Sequence, residues 1–98
     1  MDALEALAGL YIVVGAFEES IQYIDQAIEV NPLSANHSFM KGNSYYYAGA
    51  YKKAIKWMDV AIKLEPNMLL ARQVKMATLL LLDRQAEFER SRDRNKAH

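Results

Sequence analysis

The sequence predicts an all-α protein, a stack of about three antiparallel helix hairpins, and three observations carry that prediction. The chain repeats itself at 34 residues: Tyr11 falls on Tyr45, Gly15 on Gly49, Ala16 on Ala50, Ile21 on Ile55, Asp25 on Asp59, Ala27 on Ala61, Ile28 on Ile62 and Pro32 on Pro66, with Phe17 on Tyr51. Apolar residues such as Ile21, Ile24, Ala27 and Ile28 recur at three- and four-residue spacing, which gathers them on one face of a helix. Glycine and proline punctuate those runs, one turn inside each unit and one stop at its end.

The first helix is expected over residues 2–14, with Asp2 and Glu5 near its positive end and Gly15 stopping it. Phe17 then plugs the base of the hairpin. The second helix follows to about residue 30, where Asn31-Pro32 ends it, because the residue before a proline is pushed out of the helical region. The next unit repeats the plan with Ser34 as N-cap, a helix to residue 48, Gly49 at the turn, and a helix over 51–64 before Glu65-Pro66. The third unit diverges. Asn67 is the expected cap of a helix over about 68–82, and Asp83-Arg84-Gln85, with neither Gly nor Pro, makes a soft turn. Two helices are expected over 68–95, with one continuous helix as the alternative. The final segment is polar except for Phe88 and the alanines Ala86 and Ala97, as suits a helix that covers the end of a stack and faces water. The whole is read as one domain, 1–98, with repeats 1–34 and 35–68 and a divergent third repeat or cap over 69–98.

A period of about 34 with small residue, Tyr, Gly, aromatic, Ala and Pro at fixed places resembles the tetratricopeptide repeat (TPR) family, over nearly the whole chain. The resemblance implies an α-solenoid that winds as a right-handed superhelix. It also implies close helix approach at Ala8 and Gly42, Ser20 and Ala54, and Ala27 and Ala61, with Leu7, Tyr11, Tyr45, Ile24 and Met58 filling between. Three departures stand out. Ser38 and Lys41 replace large apolar residues, for which Phe39, Met40 or the Lys41 stem are expected to compensate. Met76 stands where a glycine is usual, and Phe88 where an alanine is.

For function, the resemblance implies a protein-protein interaction module whose concave wall, built from the first helix of each unit, binds a protein or peptide. The matching positions are Asp2, Glu5, Gly9, Ile12 and Val13 in the first unit, Asn36, Phe39, Asn43, Tyr46 and Tyr47 in the second, and Leu70, Gln73, Ala77, Leu80 and Leu81 in the third. Of these, Glu5, Ile12, Val13, Phe39, Asn43, Tyr46, Tyr47, Gln73, Leu80 and Leu81 are the candidate partner-binding residues. Such a wall is apolar and aromatic in its middle with an acidic rim, and suits a helix or extended segment bearing apolar anchors. Tyr46 and Tyr47 have a second reading, packing against the third helix; the groove reading is preferred. The carboxylate clamp of some family members is not expected. Glu5, Gly9, Leu70 and Val74 occupy its Lys, Asn and basic positions, and Asn43 alone remains.

An alternative is an assembly segment, self-associating or part of a longer array of a regulator or scaffold. Leu4, Leu7, Leu10, Tyr11, Ile12, Val13 and Val14 go nearly all the way round the first helix, which leaves one side to be covered. Charge is also polarised. Net charge is zero over 98 residues, yet residues 1–34 hold six acids and no base, while 69–98 hold seven bases and four acids, an asymmetry that can drive head-to-tail contact.

Other functions find no support. The arginines near the C-terminus are interleaved with Glu87 and Glu89 and lack an aromatic platform, so no nucleic-acid partner is expected. His37 and His98 are the only histidines and there is no cysteine. No metal, cofactor or enzymatic activity is therefore expected, and His37 is placed at a helix surface or edge. Asn36-His37-Ser38 matches a glycosylation sequon by chance in a helical setting. The apolar run over 7–16 follows acids, not bases, and 79–82 is too short to span a bilayer. The expected setting is cytoplasmic, without a membrane partner.

Overall fold

The structure, a computed structural model, describes residues 3–96, and side chains as far as residue 92. Five helices follow one another: α1 Ala3–Val13, α2 Phe17–Val30, α3 Ala35–Tyr47, α4 Tyr51–Leu64 and α5 Leu69–Lys96. α1 pairs with α2 and α3 with α4 as hairpins, α2 packs on α3 and α4 on α5, and α1 touches α3 as α3 touches α5. Thus α1, α3 and α5 form one layer and α2 and α4 the other. No helix of the described residues is long and apolar enough to cross a membrane.

The two hairpin turns are the same motif, 34 residues apart. Ala16 N–H donates to the Tyr11 carbonyl at 2.8 Å and Gly15 N–H to that of Ile12 at 3.1 Å; Ala50 and Gly49 repeat this with Tyr45 at 2.9 Å and Tyr46 at 3.1 Å. This pair of bonds closes a helix end only if one residue turns left-handed, and Gly15 and Gly49 both have φ 81°. Asp83 stands at the third such position. There the expectation of two helices fails: α5 runs on unbroken for 28 residues. An L-residue pays about 1–2 kcal/mol for the left-handed conformation, and Gln85 replaces the aromatic plug of Phe17 and Tyr51, so nothing rewards the turn. The second half of α5 does not fold back over the stack; Asp83, Gln85, Phe88 and Arg92 are all exposed. α5 also begins one residue later than expected, with Met68, not Asn67, at the place Ser34 takes before α3, where Ser34 Oγ accepts from His37 N–H at 3.4 Å.

The core is built of small residues between long ones. Ala8, Ala27, Ala54, Ala61 and Ala71 are buried with Ile24 and Met58, and each fully buried Ile or Met is worth about 1.5–3 kcal/mol. Gly42 lies so close to α4 that a Cβ there would meet Met58 Cε at 3.0 Å and the Ala54 carbonyl at 3.1 Å. Ser20 pins three helices: its hydroxyl donates to the Ala8 carbonyl at 3.0 Å and lies 3.0 Å from Ser44 Oγ, which also lies 3.0 Å from the Met40 carbonyl. Lys41 fills its unusual position by reaching Asp25 on α2 while its ammonium sits 4.3 Å from the centre of the Trp57 ring.

Candidate partner-binding groove

A helix presents residues three, four and seven apart on one side, so Gly9, Ile12 and Val13 share an edge of α1, and Met40, Asn43 and Tyr47 share one of α3. Where α1 and α3 lie side by side these six line an open groove of about 560 Å³. Gly9 makes its depth, since a Cβ there would meet nothing within 4 Å. Val13 and Tyr47 form its lips, exposed at 82% and 57%. Tyr47 is steadied by an edge-on contact with Tyr46 at 5.3 Å, and Tyr46 in turn lies 6.1 Å from Tyr51. Asn43 offers the one amide of the lining.

Helix α1 is held to α3 at one end by Glu5. Its Oε1 accepts from His37 Nε2 at 2.6 Å and lies 3.4 Å from Asn36 Nδ2. A carboxylate can only accept, so Nε2 carries a hydrogen. His37 is buried, not at the helix surface or edge that the sequence suggested, and its partner Glu5 stands 32 residues away on another helix. Its Nδ1 is the single buried side-chain polar atom without a hydrogen-bond partner among the described residues.

Of the candidate residues, the structure brings Ile12, Val13, Asn43 and Tyr47 together around this groove. Tyr46 stands behind Tyr47. Glu5 is engaged by α3. Phe39 lies elsewhere, half-buried against Met58, Ala61 and Ala71. Gln73, Leu80 and Leu81 are on α5, outside the lining; Gln73 and Leu80 are exposed and Leu81 half-buried. Asp2 lies outside the described residues. Gly9 and Met40 are the lining residues absent from the candidates; Gly9 was a wall position only, and Met40's place three before Asn43 and seven before Tyr47 was signal enough.

Stacked helix hairpins, with a groove between the first helices of successive units, define a helical-repeat protein that presents surface to other molecules. The chain belongs to the tetratricopeptide repeat family: models of the tetratricopeptide repeat match residues 2–32 and 38–68, the two hairpins. No curated protein matches the chain. Repeats of this family are, in general, protein-protein interaction modules.

Proposed function

We propose that this chain is an adaptor or scaffold module of the cytoplasm that takes a peptide or helical segment of another protein into the groove between α1 and α3. The observation that carries this is the groove itself: open, apolar at Ile12, Val13, Met40 and Tyr47, deepened by Gly9, with one amide at Asn43. An apolar anchor seated over Gly9, with a backbone group paired to the Asn43 amide, fits that lining, and Tyr47 is the residue type that dominates binding at such sites. Selection of a random peptide library on the protein, followed by nuclear magnetic resonance mapping of the selected peptides, tests the reading. Selected peptides are expected to carry apolar anchors and to shift Ile12, Val13 and Tyr47. Shifts confined to other surfaces would overturn it.

A second reading, an assembly segment, has an observation of its own. Leu7 and Leu10 of α1, Val14 just after it, and Leu69, Met76, Leu79 and Leu80 of α5 are exposed at opposite ends of the stack, more apolar surface than a capped repeat array leaves to water.

A further inference from the structure

The first half of α5 keeps the register of a third unit. Lys75 pairs with Asp59 at 2.5 Å as Lys41 pairs with Asp25, and Thr78 Oγ1 donates to the Val74 carbonyl at 2.6 Å where Ser44 bonds to that of Met40. Every one of these residues is 34 beyond its counterpart. In the first two units the side of this helix that carries Ala8 or Gly42 is closed by the unit's own second helix, and both residues are buried. The third counterpart is Met76, which is 67% exposed, with Leu79 and Leu80 beside it also exposed. The place of a second helix, antiparallel to α5, is open.

We propose that a second copy of this chain fills it, with its own α5 lying antiparallel along the first, so that each copy supplies the helix the other's third unit lacks. The proposal rests on the assembly reading and is independent of the α1–α3 groove. Charge on the open face selects both the occupant and the direction. At helical spacing that face reads Leu69, Arg72, Met76, Leu79, Leu80, Asp83 and Glu87. Antiparallel pairing about a two-fold axis between Leu79 and Leu80 sets these leucines against each other. It also places Arg72 opposite Glu87 of the second copy and one turn from its Asp83. Parallel pairing would set Arg72 on Arg72, Asp83 on Asp83 and Glu87 on Glu87, like on like, which is unfavourable. Arg72 is already positioned at the edge by its Nε bond to the Pro66 carbonyl at 3.0 Å.

Size agrees with this pairing. Met76 is too large for the tight contact Gly42 makes, and suits helices packed about 8–10 Å apart. The exposed residues from Asp83 on extend α5 as helix, though so short a helical stretch is marginal in water without packing; the second copy provides it. A two-fold pair of this kind closes on itself and stops at two.

The cysteine-free sequence makes the test direct. Molar mass by light scattering on the full chain, from low micromolar to near-millimolar, is expected to rise from monomer to dimer. Leu80→Cys, near the axis, should cross-link under mild oxidation, whereas Arg90→Cys should not, its two sites being about 30 Å apart in this arrangement. Met76→Glu with Leu79→Glu should abolish the dimer at unchanged helicity, since both sit on exposed surface. Arg72→Glu should weaken it and Arg72→Glu with Glu87→Arg restore it. A monomer at every concentration would overturn the proposal. So would equal cross-linking at 80 and 90, or a dimer indifferent to the Met76 and Leu79 substitutions. Tyr47→Ala should leave the dimer intact, which separates its failure from failure of the groove.

Discussion

Lys75 reaches back from α5 to Asp59 on α4, its Nζ 2.5 Å from Oδ1, and so repeats 34 residues on the pair that Lys41 makes with Asp25. The two pairs are not equal. The Lys41 side chain is 13% exposed and lies over Trp57, that of Lys75 is 35% exposed. A surface pair contributes about 0–1 kcal/mol, while a packed stem and a ring contact add to it. Lys75→Ala is therefore expected to cost less than about 1 kcal/mol and Lys41→Ala about 1–2 kcal/mol. Urea unfolding measures both; equal losses would contradict the distinction.

The joint between α1 and α3 depends on Glu5. Its removal in Glu5→Ala leaves the buried His37 ring without a partner at either nitrogen, and an unsatisfied buried polar group costs about 1–3 kcal/mol. Faster amide hydrogen exchange in α1 is expected, together with a stability loss of that size. Glu5→Gln, which keeps an acceptor oxygen, should lose less. No change in α1 exchange would show that the pair does not hold the helix.

The four glycines are expected to respond differently to alanine. At Gly42 a Cβ would collide with Met58 and the Ala54 carbonyl, and overpacking of this kind costs about 1–3 kcal/mol. Gly15 and Gly49, at φ 81°, should lose about 1–2 kcal/mol. Gly9→Ala, in open helix, should gain up to about 1 kcal/mol. Thermal melts of the four variants check the order. Asp83→Gly adds the missing turn residue and is expected to lower the helical circular dichroism signal by fraying α5 beyond it; an unchanged signal would mean that the third stop needs more than glycine.

Both hairpins were legible in the sequence because glycine and proline, which act locally, stand at the same place in each unit. The third unit was not. The loss of its glycine reads from sequence as a weak turn, with one continuous helix as the alternative, and the unbroken α5 decides for that alternative. His37 escaped for another reason. Its partner Glu5 comes from a different helix, and no local spacing reveals that. Four of the six lining residues, Ile12, Val13, Asn43 and Tyr47, fell where the family resemblance placed them. Phe39 did not, since which neighbour a helix edge meets is set by how α4 and α5 close upon it.

Whether the groove between α1 and α3 is where a partner binds is decided by calorimetric titration of the tightest library-selected peptide into the parent protein and into Gly9→Leu. Leucine at this position fills the groove between Ile12, Met40 and Tyr47 while favouring the helix, so the variant remains folded. The groove reading predicts at least a tenfold loss of affinity, about 1.4 kcal/mol or more. Undiminished binding to Gly9→Leu would contradict it.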